Sequence, residues 1–478
     1  MNLRLAVGAL NQTPLDWDGN LAHIRDAIAR ARALDARLLC LPELCITGYG
    51  CEDAFHAPDT WSTALDILDD LRRDTADMAV SVGLPLYVRG ALFNVAALLV
   101  DGDVRGFVAK QSLAGDGLHY EPRWFKPWPK DVRDDAEVLG RRLPVGDLVF
   151  SLGGIRLAFE ICEDAWGHDR PGRGHAQQGV DVIFNPSASH FAFGKTAVRE
   201  RFIIDGARAF GCAYAYSNLL GNEAGRIIYD GDARIADHDA IVARAPRFSF
   251  EPVVVTAADV DLLEIRSRRA RRDTYRPTLG RGENEIEIDW TVPQATMPLQ
   301  RADPPDWTSQ EEEFTRAVTL GLRDYMVKSR SRGFVVSLSG GADSSAIVTL
   351  VATMVDLGAR ALGLDRLASE LGHAGAPTSA DLVARLLTTA YQSTRQSSDT
   401  TRDAARTLAE AVGATHHEFD VQEIVDAYTS RIEHAIDRAL DWSTDDLALQ
   451  NVQARVRAPS VWFLANIEGK LLVSTSNR

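Results

Sequence analysis

Ser337-Leu-Ser-Gly-Gly-Ala-Asp-Ser-Ser345 is the stretch on which the reading of this chain turns. An apolar run, Phe334-Val335-Val336, leads into it, and Ala346-Ile347-Val348, compatible with a helix, leads out. The pattern predicts a strand that closes at Ser337, a tight glycine turn and a helix N-terminus. Such a junction suits an anion, because the N–H groups of the turn converge on it and the helix dipole favours negative charge there. Gly340 and Gly341 let the backbone approach a phosphate with no Cβ in the way. Ser339, Ser344 and Ser345 add hydroxyl donors. Asp343 repels a phosphate unless a cation lies between them, and Mg²⁺ suits both carboxylate and phosphate oxygens.

The stretch lacks the Gly-Lys-Ser/Thr of a Walker loop. It resembles instead the pyrophosphate loop of N-type ATP pyrophosphatases, enzymes that split ATP to AMP and pyrophosphate while adenylating an acceptor. That resemblance assigns Ser337, Ser339, Gly340, Gly341, Asp343, Ser344 and Ser345 to ATP, with Asp343 as a metal ligand. The alternative is a glycine turn between ordinary elements.

Outward from the loop, 478 residues predict two or three domains. A hydrophobic share of 45% and a charged share of 25% belong to an ordinary globular protein. The net charge of -15 argues against a nucleic-acid surface. Five cysteines (Cys40, Cys45, Cys51, Cys162, Cys212) are an odd number in a long chain, which argues against a disulfide framework and for a reducing cytoplasm. The N-terminal run reads as a first strand rather than a signal peptide. No run is expected to reach the ~20 apolar residues that span a bilayer.

Strands and helices alternate from Leu3 to Val255, which predicts an α/β domain over residues 1–262. A helix is expected from Asp18 to Leu34, with Leu21, Ile24, Ile28 and Ala31 on one face. Residues 263–306 are proline-rich and open on the basic run Arg266-Ser-Arg-Arg-Ala-Arg-Arg272, predicting a linker or surface arm. A solvated helix face is the expectation for the basic run, ahead of a phosphate site. From 307 to 478 a second pattern predicts a doubly wound parallel sheet, whose ligands lie at the carboxyl ends of the strands.

Three segments of the first domain carry chemistry. Leu41-Pro-Glu-Leu-Cys-Ile-Thr-Gly-Tyr49 puts Glu43 past a buried strand, Val108-Ala-Lys110 puts Lys110 at the end of another, and Ala158-Phe-Glu-Ile-Cys-Glu-Asp-Ala-Trp166 puts Cys162 after a third. Singly, each is as well read as a core cysteine or a solvated charge. Together they supply a nucleophile, a base and a cation. A free thiol has a pKa near ~8.5, so a carboxylate must take its proton during attack. A cation then stabilises the oxyanion. Glu43 is the expected base, Cys162 the nucleophile and Lys110 the oxyanion donor, with the N–H of Glu163 as second donor.

These segments resemble the Glu-Lys-Cys triad of the nitrilase superfamily, which implies a four-layer αββα sandwich. His119-Tyr-Glu-Pro-Arg-Trp-Phe125 is similar to that family's Y-x-E-x-R-x-F segment, and the resemblance makes Glu121 a supporting carboxylate. Asn185-Pro-Ser-Ala-Ser-His-Phe-Ala-Phe-Gly-Lys195 and Asn218-Leu-Leu-Gly-Asn-Glu223 resemble the branch that hydrolyses glutamine. In that branch Tyr120, Glu163, Ser189 and Lys195 fall at glutamine contacts, and Lys195 stands where some members carry arginine.

A glutaminase followed by an adenylating loop resembles the glutamine-dependent NAD(+) synthetase family. The resemblance implies amidation of nicotinic acid adenine dinucleotide with ammonia from glutamine, through an adenylated intermediate, with ATP and Mg²⁺. Tyr391-Gln-Ser-Thr-Arg-Gln-Ser-Ser398, Thr400-Thr-Arg-Asp-Ala-Ala405, Asn451-Val-Gln-Ala-Arg-Val-Arg457 and Val473-Ser-Thr-Ser-Asn477 match its second domain, a Rossmann-like fold of the adenine nucleotide alpha hydrolase kind. They place Asn451, Arg455, Arg457 and Thr475 at the ATP and dinucleotide site. A homo-oligomer with dimers of the nitrilase-type domain, a protected passage for ammonia, no membrane and no nucleic acid are implied. The sequence ends at Asn477-Arg478, where the family continues into a metal-binding acid and covering loops, so a C-terminally incomplete synthetase site is expected. Two other readings stay open: an amide synthetase with a different carboxylate acceptor, and a chain with only glutaminase activity and partial ATP binding.

Overall fold

A computed structural model of the protein describes residues 2–280, 282–299 and 309–475. Two compact units divide it, Met1–Ala317 and Val318–Arg478.

The first unit is a mixed α/β fold of the nitrilase type. Its sheet runs in hydrogen-bonded order through Glu285–Ile288, Val149–Leu152, Ile155–Phe159, Val182–Ser187, Ala213–Asn222, Asn2–Leu10, Leu38–Cys40, Ala79–Val88, Ala91–Val100, Asp103–Ala109, Arg141–Gly146 and Arg133–Val138. The central strand Asn2–Leu10 is buried from Leu3 onward and pairs antiparallel with Val253–Asp261 along its whole length. Burial on both faces explains why these strands read as continuous apolar runs rather than alternating ones. Helix Trp17–Ala33 covers them with Leu21, Ile24, Ala27, Ile28 and Ala31, a helical stripe, and Asp16 caps it by accepting from the Gly19 N–H.

The sheet delivers three chain ends to one region. Glu43 follows Leu38–Cys40, Lys110 follows Asp103–Ala109, and Cys162 follows Ile155–Phe159. Gly83, on strand Ala79–Val88, makes room for the turn after Glu43, since a Cβ there would lie 2.2 Å from the Leu44 nitrogen.

Of the linker or surface arm expected over residues 263–306, the described part up to 299 is an arm built into the first unit, and 300–306 lie outside the described residues. Glu285–Ile288 pairs in parallel with Val149–Leu152 as an edge strand. Helix Leu262–Ala270 sinks part of the basic run. Arg266 donates to both oxygens of the buried Asp181, and Arg269 donates to Asp181 and to the Val180 carbonyl. The expected solvated face therefore holds for Arg268, which pairs along the helix with the half-buried Glu264, and fails for Arg266 and Arg269. Asp181 lies far away in sequence, so no local pattern announces the pairing. The hairpin Arg133–Val138 with Arg141–Gly146 was not expected either, because its charges mimic a loop.

The second unit holds a parallel sheet in the order Thr415–Asp420, Leu387–Ser393, Phe334–Ser337, Leu471–Val473. The loop of interest joins Phe334–Ser337 to helix Ala342–Leu362. That helix is long and apolar enough by composition to cross a membrane, contrary to the expectation for the chain. In the fold it buries Val348, Leu350, Val351, Met354 and Val355.

Candidate active site

In the first unit, Glu43, Lys110 and Glu121 form one buried cluster. The Lys110 Nζ lies 2.5 Å from Glu43 Oε1 and 2.7 Å from Glu121 Oε1, with all three side chains inaccessible to solvent or nearly so. Burial opposes the ammonium charge, yet Glu121 and Glu43 outweigh it and hold Lys110 well above the ordinary lysine range. Burial pushes the Glu43 carboxyl upward, opposed by Lys110.

The two Glu43 oxygens are unequal. Oε1 accepts from Lys110 and, at 2.7 Å, from the Asn94 amide. Oε2 is buried without a hydrogen-bond partner among the described residues. One oxygen is anchored and the other is free to take a proton.

Cys162 opens a short 3-10 turn with φ of 46°, a left-handed conformation that costs a non-glycine residue on the order of 1–3 kcal/mol. Burial raises its thiol pKa, with the Glu43 charge next in size and Lys110 opposing. Burial thus favours the thiol over the thiolate at this position.

Asp164 ties this turn to the lysine loop. Its carboxylate accepts from the Ile161 N–H at 2.9 Å, the Gln111 N–H at 3.0 Å and the Ser112 N–H at 2.7 Å. Burial lifts it to about 7, against the pull of Lys110 and of the Ile161 and Ser112 N–H groups. Glu121 is held in the same way, by the Tyr49 hydroxyl at 2.7 Å and the Ala114 N–H at 3.0 Å. Asn94, Asp164 and Tyr49 were not foreseen as site residues. Tyr49 closes the quoted Glu43 segment and Asp164 directly follows Glu163, so both lay within reach of the motifs. Asn94 sits mid-strand with no local signal.

The residues expected at glutamine divide. The Ser189 Oγ is buried and unpartnered among the described residues, while its backbone is clamped by the Asn218 amide. Lys195 is half-buried, with its Nζ 5.3 Å from the centre of the Trp166 ring, and burial lowers its pKa to about 8, with Arg199 adding to the shift. Glu163 is half-buried and burial raises its carboxyl. Tyr120 is exposed and lies under the Arg226 guanidinium, at the rim of a cavity of about 270 Å³ that Tyr49, His119, Glu223 and Tyr229 also line. Tyr120 is thus a mouth residue, set apart from the buried cluster.

In the second unit the loop is ordered by its own serines. Gly340 has φ of 77°, and a Cβ there would lie 2.3 Å from the Thr401 carbonyl oxygen, so glycine is required on two counts. The Ser339 and Ser344 hydroxyls are 3.1 Å apart, and the Ser344 and Ser345 hydroxyls donate to the Gly341 carbonyl at 3.2 and 2.8 Å. Asp343 is exposed in the first turn of the helix, where a carboxylate is favoured.

At the strand ends Ser337 donates to the Gln392 side chain at 2.8 Å, and Arg457 donates to the Gln392 carbonyl at 3.1 Å. Arg455 is exposed and hydrogen-bonds Asn451 one turn away. Thr475 is exposed two residues beyond the strand that pairs with Phe334–Ser337, whereas Asn477 lies outside the described residues. The structure thus brings Ser337 and Arg457 together through Gln392, a residue not foreseen. Among the described residues no cluster of three or more His, Cys, Asp or Glu side chains could hold a metal ion.

Comparison with known proteins follows the same division. Residues 4–270 match the carbon-nitrogen hydrolase family and residues 314–478 the NAD synthase family. A glutamine-dependent NAD(+) synthetase of Oryza sativa subsp. indica is 32% identical over 97% of this chain and 68% of its own length. One of Saccharomyces cerevisiae is 31% identical over 97% of this chain and 70% of its own length. The crystal structure of a glutamine-dependent NAD(+) synthetase from Cytophaga hutchinsonii superposes with a TM-score of 0.85 at 41% identity, covering 100% of this chain and 75% of that one.

Proposed function

This chain belongs to the glutamine-dependent NAD(+) synthetase family, and on that premise we propose how its residues divide the work of a ligase that consumes glutamine and ATP. Glu43 Oε2 takes the Cys162 proton as the sulfur attacks the side-chain amide carbon of glutamine. Lys110 and the Glu163 N–H stabilise the oxyanion that forms. Glu43 returns the proton to the departing nitrogen, and the C–N bond breaks to release ammonia and leave a thioester on Cys162. Water, deprotonated by Glu43, then hydrolyses the thioester to glutamate. Ser189 and Lys195 hold the substrate's amino-acid end, with Glu163 and Tyr120 nearer the mouth.

In the second unit the Ser337–Ser345 loop carries ATP. The carboxylate of nicotinic acid adenine dinucleotide attacks the α-phosphorus, and the bond to pyrophosphate breaks. Ammonia then attacks the adenylated carbonyl, and AMP leaves. Asn451, Arg455, Arg457 and Thr475 serve the two nucleotides. One carboxylate suffices for Mg²⁺ when phosphates supply further oxygens, and Asp343 fits that role, so it would hold the ion, which neutralises phosphate charge.

At neutral pH free ammonia is mostly ammonium and is not a nucleophile, which favours a protected passage from one site to the other. Five unpaired, buried cysteines suit the cytoplasm, and assembly into a homo-oligomer through dimers of the first unit completes the reading.

The observation that carries the proposal is Lys110, buried between two carboxylates beside a strained cysteine. Crossed substitutions test it. Cys162→Ala removes glutamine hydrolysis and spares pyrophosphate release with added ammonia. Asp343→Ala does the reverse. Glutamine hydrolysis by Cys162→Ala, or ATP-dependent amidation by Asp343→Ala, refutes the corresponding half.

A further inference from the structure

A file of polar side chains runs from Lys195 to the buried cluster. The Lys195 Nζ lies 3.1 Å from His190 Nδ1 and 3.3 Å from His190 Nε2. The His190 Nδ1 lies 2.9 Å from His119 Nε2, and the His119 Nδ1 lies 3.1 Å from the Tyr49 hydroxyl. That hydroxyl lies 2.7 Å from Glu121 Oε1.

With both rings neutral, the two ends fix the direction of every bond between them. An ionised Glu121 only accepts, so the Tyr49 O–H must donate to it. The Tyr49 oxygen then accepts from His119 Nδ1–H. With Nδ1 protonated, a neutral His119 has only Nε2 to accept with, and the donor facing it is His190 Nδ1–H. His190 then has only Nε2 left to accept with, 3.3 Å from the Lys195 ammonium, which only donates; the ammonium also lies 3.1 Å from Nδ1, whose proton is directed to His119. Each group thus donates once along the file, toward Glu121.

A proton added to either ring breaks this order. His119 would have no acceptor for His190, and His190 would set an imidazolium against Lys195. The charged groups around them agree. His119 faces Glu121, Lys195 and Lys110, and His190 faces Lys195, Arg199 and Asp230. Burial is the largest cause holding both imidazoles down, to about 4 each. Arg199, itself buried and ion-paired with Asp230 and Asp232, donates to the His190 carbonyl at 3.1 Å and fixes the backbone of the file.

We propose that His119 and His190 are positioning residues, two neutral imidazoles in a one-way donor chain that aims the Lys195 ammonium at the carboxylate of the amide substrate and fastens it to Glu121. The inference rests on the reading of Lys195 as the grip on that carboxylate. The first unit is then selective for ω-amides that carry a free α-carboxylate, and the two histidines enforce that selectivity without touching the reacting atoms.

Two measurements on the full chain test this. In steady-state glutaminase assays, His190→Phe is expected to raise KM for glutamine at least tenfold with kcat changed less than threefold. His190→Gln, which keeps a donor and an acceptor, should recover part of the loss. The loss should vanish in a Lys195→Ala background, and with a glutamine whose α-carboxylate is amidated. A large effect of Lys195→Ala with none from His190→Phe overturns the chain while leaving the Lys195 grip intact. No effect of Lys195→Ala overturns the grip, and with it any role for the histidines in aiming it. Independently, ¹⁵N spectra of histidine-labelled protein, assigned with His119→Phe and His190→Phe, should show both rings neutral and in the Nδ1–H tautomer between pH 6 and 8. An imidazolium, or the Nε2–H tautomer, at either position overturns the proposal.

Discussion

Replacing Lys110 with methionine keeps the bulk of the side chain and deletes its charge. The two carboxylates that faced it, at 2.5 and 2.7 Å, stay buried with no cation between them. Breaking a buried pair from one side costs about 3–5 kcal/mol. Here the protein can escape part of that cost by binding a proton. Burial and the Glu121 charge already raise the Glu43 carboxyl, and Lys110 is the largest influence that lowers it. Without Lys110 it rises further above the roughly 4.3 of an unfolded glutamate.

A carboxyl raised in the folded state makes the folded protein bind more protons than the unfolded chain. Stability then falls as pH rises from the unfolded value through the folded one, by up to about 1.4 kcal/mol for each unit between them. Lys110→Met is therefore expected to lose more against the parent at pH 8 than at pH 5, up to about 3–5 kcal/mol. Urea unfolding of the full chain at both pH values, followed by tryptophan fluorescence and by circular dichroism, reads the difference. Adding Glu121→Gln removes one of the stranded charges and should return about 0.5–3 kcal/mol at pH 8. A deficit equal at both pH values, or no return from the second substitution, would refute the argument that these carboxylates depend on Lys110 for their charge.

Other expectations follow from the same geometry. Cys162→Ser keeps the turn but offers a far weaker acid at the sulfur's position, so glutamine turnover should fall by about 10³ or more while ammonia-dependent synthesis persists; paired assays with the two nitrogen donors decide. Lys195, with a pKa of about 8, loses its charge above that pH in the free enzyme, so kcat/KM for glutamine should drop on the alkaline side, and Lys195→Arg should move the drop upward. Gly340→Ala meets both a left-handed φ of 77° and the Thr401 carbonyl, so it should destabilise the second unit by about 1–3 kcal/mol and abolish pyrophosphate release while glutamine hydrolysis continues.

The two α/β patterns and the positions of Glu43, Lys110 and Cys162 past their strands were legible because each signal is local. Glu43, Lys110 and Cys162 each stand just past a buried apolar run, and the Ser337–Ser345 loop carries its glycines and hydroxyls in one stretch. What escaped was built by contacts distant in sequence. Asn94 and Glu43 are 51 positions apart, and Arg266 and Asp181 are 85 apart. Gln392 joins Ser337 to Arg457 only because parallel pairing sets the ends of two strands side by side. The hairpin at Arg133–Gly146 has one face toward water, so its alternation of charge and apolar residues resembles a surface loop. The segment 263–306 was legible as a linker or surface arm from its prolines and arginines, but its anchors were not, because Asp181 and the edge of Val149–Leu152 belong to other parts of the chain.

Asp164 has a mechanical consequence. The strands that carry Lys110 and Cys162 stand far apart in the hydrogen-bonded order of the sheet, so no ladder between them fixes their separation. A single carboxylate gripping Ile161 on one side and Gln111 and Ser112 on the other acts as a tie rod across that span. When thermal motion flexes the sheet, sulfur and ammonium travel together. Warming should therefore spoil the spacing on which the chemistry depends only once that tie lets go.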